Sequence, residues 1–361
     1  MLPYLFILLL VCTLFICEKW IKQSWPYYIL LIILILFEGF RDMIGGFDVY
    51  IYGQFYEMDY RLILLFEPFE PGFRLFAVLC KLIIDKREFF FFVIAMAMLY
   101  MHFRTIKRST NLLYFALFIY FCKFYLFSFI YLRQGLAMGF IWFTLPYILN
   151  KKYLKASLLF ALAFLFHKSS LIFLPMLFIS NRRFNSVQLT FGIVVFAIVF
   201  ASPIGQIVSR LVADASENNK LNIYAEKHSA INIFYVAELL LFTSLAFIFK
   251  KYFYQYKETM LIFNGFIFYI LMSIVGLTNG SFVRLAWYFF IFVVLAIPFM
   301  YSFLQDQKLK TIFKSFVFVY YIAVFLRLLF VFDNGDFMPY KTIFQDFDRE
   351  GMWDHMEYRK R

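Results

Sequence analysis

Long apolar runs separated by short polar breaks make up most of the chain. A bilayer crossing needs roughly 20 mostly apolar residues. On that scale the runs near 2–17, 26–40, 89–103, 112–131, 134–149, 156–166, 169–180, 187–208, 232–249, 259–277, 285–304 and 311–331 predict twelve membrane helices. Several are shorter than an upright crossing, so tilted helices, snorkelling ends or broken helices are expected among them. The run Met1 to Cys17 has the length of a signal-peptide core but lacks a basic leader and an A-x-A cleavage site, and further apolar runs follow it. It is read as the first span.

The polar breaks carry a second pattern. Alternate connections hold Lys19 and Lys22; Arg104, Lys107 and Arg108; Lys151, Lys152 and Lys155; Arg182 and Arg183; Lys250, Lys251 and Lys257; Lys308, Lys310 and Lys314. These sixteen basic residues face only three acids, Glu18, Glu258 and Asp306. The positive-inside rule makes those six connections cytoplasmic and puts both termini and the remaining connections outside. The stretch from Phe40 to Glu88 then begins and ends outside. It is expected to be an extracytoplasmic loop, 41–88, with a re-entrant or interfacial helix, because Pro68 and Pro71 interrupt it and Arg74, Lys81 and Asp85 make a full crossing costly. The tail 332–361 is likewise expected outside. Twelve crossings with short connections leave no room for a separate soluble domain, so 1–361 is expected to be one integral membrane domain, all α-helical.

Composition agrees with this pattern and excludes the main alternatives. Hydrophobic residues make up 63% and charged residues 16%, and mean hydropathy is +0.76, whereas soluble domains run near half apolar and a quarter charged. The net charge of +12 falls in short loops between apolar runs, so topology accounts for it and no nucleic-acid partner is expected. Cys12, Cys17, Cys80 and Cys122 have no metal-ligand spacing. The 55 Phe and 26 Tyr fit a nucleotide bias as well as a function and decide nothing.

Residues able to do chemistry gather on one side. Arg41, Asp42, Asp48, Glu67, Glu70, Arg133, Gln134, His167, Lys168 and Arg284 all fall at outer ends of spans or in outer loops. The cytoplasmic loops hold little besides Lys and Arg and no phosphate-cradling glycine motif, which disfavours nucleotide-driven chemistry. Arg41 lies at the boundary of the second span, and Gly45 and Gly46 permit a turn that folds Asp48 back over it. An ordinary solvated turn with a snorkelling arginine fits the same residues. Arg133-Gln134 interrupts the apolar stretch from Leu112 to Leu149. A fixed, bidentate cation there suits a diphosphate, and a plain hairpin turn also uses polar residues. His167-Lys168-Ser169-Ser170 follows cytoplasmic Lys155 by about a dozen residues, a helix of roughly 18 Å against a ~30 Å hydrocarbon core. That sets His167 in a recess, as a proton carrier or as a core histidine bonded to a carbonyl. Arg284, with Tyr288 one turn on, and Arg327, about a turn below the outer end of the last span, can neutralise phosphate or snorkel.

In order along the chain, these elements resemble the Wzy-type bacterial polysaccharide polymerases, specifically the EpsG-like branch. The matching residues are Arg41 with Gly46, Asp48 and Tyr52, then Glu70-Pro-Gly-Phe73, Arg133-Gln-Gly-Leu-Ala137, Lys151-Lys152, Phe166-His-Lys-Ser-Ser170, and Arg284 near Tyr288. They span about residues 38–290.

The resemblance implies a glycosyltransferase-C-like architecture in a bacterial inner membrane. The enzyme would transfer a growing glycan from one undecaprenyl diphosphate carrier onto a lipid-linked oligosaccharide repeat unit at the outer face. It implies no cofactor and no metal, because the diphosphate already activates the donor. Candidate roles follow: His167, Asp48 and Glu70 in catalysis; Arg41, Arg133, Arg284 and Arg327 on diphosphate; Tyr52, Gln134 and Tyr288 on sugar. Donor and acceptor are the expected partners, besides membrane lipids, a chain-length regulator and a flippase. A polysaccharide ligase shares this layout. A lipid-linked oligosaccharide flippase would carry charged residues along a path open to both faces, and the cytoplasmic half is depleted of them.

Overall fold

The computed structural model describes residues 1–202, 233–277, 282–331, 333 and 336–345. Among these the chain is all helical, with one isolated antiparallel bridge, Arg41 to Thr342. In chain order the helices are α1 Leu2–Cys17, α2 Trp25–Gly39, α3 Phe47–Glu57, α4 Tyr60–Leu65, α5 Pro71–Ile83, α6 Arg87–Ser109, α7 Leu113–Ser128, α8 Leu132–Phe143, α9 Leu145–Leu149 and α10 Tyr153–Phe166. A 3₁₀ helix, Lys168–Phe173, follows, then α11 Met176–Ile179, α12 Ser186–Ala201, α13 Ile233–Phe253, α14 Lys257–Val275, α15 Val283–Phe303 and α16 Gln307–Phe330.

Each predicted apolar run falls on helix, the end of the run 187–208 lying outside the described residues. Among the described residues five helices, α6, α13, α14, α15 and α16, are long and apolar enough to cross a membrane by themselves. The shorter ones include α10, whose 14 residues give about 21 Å. Two predicted runs are less regular than expected: α7 contains a π-helical turn at Phe121–Tyr125, and the run 134–149 breaks at Thr144 between α8 and α9.

The chain divides into two compact units, one of Met1–Thr144, Ser157–Ser170 and Tyr301–Arg361, the other of Leu145–Ala156 and Leu171–Met300. In the first unit α6 is the central post. Glu88 in its first turn and Lys107 and Arg108 in its last complement the helix dipole. Gly39 at the end of α2 meets Phe92, where a Cβ would come within 2.6 Å of the ring. On α8, Gly135 and Gly139 lie against Met98 and Met101 of α6, a small-residue seam that lets two helices approach closely. His102, fully buried, joins three helices, with Nδ1 2.8 Å from the Tyr120 hydroxyl and Nε2 2.9 Å from the Gly135 carbonyl. It is a core histidine of the kind weighed for His167, at a position the sequence did not single out.

The stretch 41–88 holds three helices where one was expected. Asp59 caps α4 by accepting from Arg61 N, and Pro71 opens α5, where its missing N–H costs nothing. One side of α5, with Phe73, Ala77 and Cys80, is buried against a cluster that includes Phe90 and Ile94 of α6. Its other side exposes Leu75, Leu79, Leu82 and Ile83.

In the second unit α14 packs with α13, α12 and the start of α15. Asn264, in the middle of α14, donates to the carbonyls of Ile179 and Arg182 at 2.8 and 2.9 Å and so holds the turn after α11.

Candidate functional site

Three helix boundaries of the first unit converge on one carboxylate. Glu70 is the N-cap of α5, in extended backbone, and only 7% exposed. Its Oε2 accepts from Arg133 Nη1 at 2.5 Å, and its Oε1 lies 2.9 Å from His167 Nδ1 and accepts from Lys168 N at 3.2 Å. Arg133 is the second residue of α8, and His167 ends α10, with its N–H bonded back to the Ala163 carbonyl. The residues are 63 and 97 positions from Glu70 in sequence, so the site is assembled by tertiary packing.

Arg133 is fixed on several sides. Its Nε donates to the Tyr52 hydroxyl at 3.3 Å, and its guanidinium carbon lies 4.2 Å from the centre of the Phe69 ring. Stacking on an aromatic face while forking between two oxygens is an arrangement that Lys cannot copy.

An ionised carboxylate has no hydrogen to give, so Nδ1 of His167 carries the proton in this bond, and in the neutral form of the imidazole the lone pair sits on Nε2. Burial by itself raises the Glu70 carboxyl. The hydrogen bond and charge of His167 and the charge of Arg133 outweigh that and hold the group down at about 2. With a neutral imidazole the Glu70–Arg133 pair balances to zero charge. The cluster therefore combines a proton acceptor, an orienting carboxylate and a cation held in place by that carboxylate.

Asp48 lies in the first turn of α3, one helical turn before Tyr52, and is half-buried. Gln134 is buried beside Arg133. Arg41 is placed otherwise than expected. It is 3% exposed, and each of its three nitrogens donates to a main-chain carbonyl: Nε to Ile44 at 2.9 Å, Nη1 to Glu38 at 2.5 Å and Nη2 to Phe129 at 3.1 Å. Its cation also lies over the Phe129 ring at 4.8 Å. Arg41 thus shapes the protein's own loop; folding into the core supplies carbonyls where a diphosphate was expected. Glu38, fully buried and passed over in the sequence, belongs to the same network, with Oε2 accepting from Ser128 Oγ at 2.8 Å.

Three further predicted residues lie on α15 and α16. Arg327 is half-buried, one turn before the end of α16. Arg284, half-buried, and Tyr288, fully buried, belong to the second unit. Among the described residues no group of three or more His, Cys, Asp or Glu is arranged to hold a metal ion.

Compared with known proteins, residues 24–342 match the model of the EpsG family, and this span contains every residue of the cluster. No curated protein and no solved structure matches the chain.

Proposed function

We propose, from the premise that the chain belongs to the EpsG family, that it is a polysaccharide polymerase of the bacterial inner membrane. Membership of that family points to a polysaccharide-polymerase-type glycosyltransferase role. The finer reading is transfer of a growing glycan from undecaprenyl diphosphate to the terminal hydroxyl of a lipid-linked repeat unit at the outer face. The observation that carries it is the hydrogen-bonded cluster of Glu70, Arg133 and His167.

In the proposed reaction the acceptor hydroxyl oxygen bonds to the anomeric carbon of the donor sugar while the bond from that carbon to the diphosphate oxygen breaks. The hydroxyl proton passes to Nε2 of His167, and the bonding pair leaves with the diphosphate. Glu70 holds the imidazole in the required tautomer and stabilises the imidazolium as it forms, the part a carboxylate plays behind a histidine base. Arg133 contributes N–H groups toward the leaving diphosphate. Tyr52, Gln134 and Asp48 stand nearest in sequence and helix register for sugar contacts, and Arg284, Arg327 and Tyr288 are further candidates for the lipid-linked substrates. No metal takes part in this scheme.

Two features support a membrane-boundary site. The exposed face of α4 and α5, with Leu62, Leu65, Leu75, Leu79, Leu82 and Ile83, suits an interfacial seat in the outer leaflet, and Glu70 caps that helix pair's second member. The short α10 suits a recessed His167. Twelve crossings, outside termini and the recess belong together in this reading.

The test is a ladder of lipid-linked oligosaccharides made by purified protein in liposomes with chelator present. His167→Ala should stop growth at single repeat units, a loss on the order of 10²–10⁴-fold for a missing general base. His167→Gln, which hydrogen-bonds but takes no proton, should be equally inactive. Full-length product from His167→Ala would overturn the assignment, and one-step transfer to a non-glycan acceptor without a ladder would favour a ligase.

A further inference from the structure

The segment after α16 returns to the first motif. Among the described residues, the Asp336 carbonyl accepts from Gly45 N at 2.7 Å, the Lys341 carbonyl accepts from Asp42 N at 3.0 Å, and Ile343 N donates to the Phe40 carbonyl at 3.0 Å. Side chains add to this pairing. Tyr340 stacks on Phe37 of α2, ring centres 4.1 Å apart and nearly parallel, and its hydroxyl donates to the Phe37 carbonyl at 2.7 Å. Tyr4 of α1 donates to the Phe337 carbonyl at 2.6 Å. Asp333 shapes the segment by accepting from the N–H groups of Phe337 and Met338.

The loop held in this way needs holding. Met43, Gly45 and Gly46 all have positive φ, 51°, 128° and 72°, and for a side chain such as Met that conformation is costly unless its surroundings impose it. Two sets of bonds do so: the Arg41 guanidinium from within and the returning main chain from outside. At Gly46 the fit is close, since a Cβ there would come within 2.6 Å of Asp336 Oδ1. Gly46 is also the N-cap of α3, the helix that carries Asp48 and, one turn on, the Tyr52 hydroxyl that meets Arg133.

We propose that residues 336–343 are a strap whose task is to position the 41–46 loop and, through α3, the Tyr52 side of the Glu70–Arg133–His167 cluster. The inference rests on reading that cluster as the reaction centre. The family match runs to residue 342, the residue that bridges Arg41, whereas 346–361 lies beyond it. Tyr340 is thus a positioning residue.

The experiment compares the full chain, a chain ending at Gln345, a chain ending at Val331, and full-length Tyr340→Ala and Tyr340→Phe, each in liposomes. Two readouts are taken: amide hydrogen exchange of peptides covering 41–52, and turnover against KM for the lipid-linked unit. The chain ending at Gln345 should match the full chain within about threefold in both. Tyr340→Ala should speed exchange across 41–52 at least tenfold and lower kcat at least tenfold with KM within threefold. Tyr340→Phe, which keeps the ring on Phe37, should recover most of both. The chain ending at Val331 should behave as a stronger Tyr340→Ala; if it does not accumulate, the two full-length variants decide. Unchanged exchange in Tyr340→Ala overturns the strap, and faster exchange with unchanged turnover overturns its positioning role. Exchange does not require activity, so a wild-type chain that makes no ladder refutes the polymerase reading while the strap is still judged by propagation of faster exchange from 41–46 to Tyr52.

Discussion

Replacing Glu70 by Gln changes one atom and sets two partners against each other. The carboxylate offers Oε2 to the Arg133 guanidinium and Oε1 to His167 Nδ1 and Lys168 N, whereas an amide has one acceptor and one donor end. If its oxygen stays with Arg133, its NH₂ faces Nδ1, and the imidazole must move its proton to Nε2 to accept. Nε2 then cannot act as base, and the rate should fall by the on-the-order-of 10²–10⁴-fold typical of general-base loss. If the amide turns over, its NH₂ faces the guanidinium and Arg133 loses its acceptor at that position, which costs roughly 1.5–3 kcal/mol for one charge-assisted hydrogen bond. The chain should still fold in either case, because α5, α6 and α8 remain packed through the apolar cluster that includes Phe73, Phe90, Ile94 and Leu136. The assay is ladder formation in liposomes at matched protein abundance, with Glu70→Asp as a partner variant that keeps two acceptors on a shorter stem and should retain part of the activity. Turnover of Glu70→Gln within threefold of wild type would refute the tautomer argument.

Arg133→Lys keeps the charge but cannot reach Glu70 and Tyr52 together while stacking on Phe69, so chain growth should drop roughly tenfold or more at near-normal abundance; an unchanged chain-length distribution would leave Arg133 without a part in the reaction. The Glu70 carboxyl is held at about 2, below the ordinary value of about 4.3. Because the folded state lowers it, its stabilising contribution is fully present above the ordinary value and is lost as pH falls toward about 2; thermal unfolding in detergent from pH 6 to 2.5 should show this loss in wild type and not in Glu70→Gln. With the native cysteines replaced, a Cys at Glu67 should react with an impermeant thiol reagent added outside, and Cys at Lys152 or Asn181 should not. Reaction at Lys152 from outside would reverse the proposed orientation.

Much of the helical layout was legible because bilayer solvation imposes it. A run such as 89–103 has no stable alternative to helix in lipid, and the basic breaks around Lys107 and Lys151 mark its neighbours' ends. The interior of the stretch 41–88 was not legible in the same way. The sequence Phe47–Glu57 mixes Asp, Tyr, Gly and Gln with apolar residues, and its helical state depends on burying Val49, Tyr52, Phe55 and Tyr56 against partners distant in sequence. The site divides along similar lines. His167 and Arg133 were visible as polar residues expensive to keep near lipid, and Glu70 as one of the polar residues gathered on one side, yet nothing local tells that 63 and 97 residues of chain close onto one carboxylate. Arg41 was misplaced for a physical reason: a guanidinium at a helix end can face out to a ligand or fold in to carbonyls, and the carbonyls of Glu38, Ile44 and Phe129 that take it are invisible as sequence.

The geometry has a consequence for how the cation and the base act together. Arg133 and His167 approach opposite oxygens of the same carboxylate, so the guanidinium takes up part of the negative charge that Glu70 would otherwise place on Nδ1–H. When a diphosphate arrives, its charge competes with Glu70 for Arg133. Glu70 then has more of its charge to spend on an imidazolium, which raises the basicity of Nε2 at the moment an acceptor proton must be taken. Donor binding and base strength are thereby coupled through one residue, and the coupling has a measurable form. In a double-mutant cycle on turnover, Arg133→Lys and His167→Gln should be strongly non-additive, Arg133→Lys costing little once His167→Gln is present, by about 0.5–3 kcal/mol of interaction free energy. Additive losses would mean that the two side chains act independently and that Glu70 only packs between them.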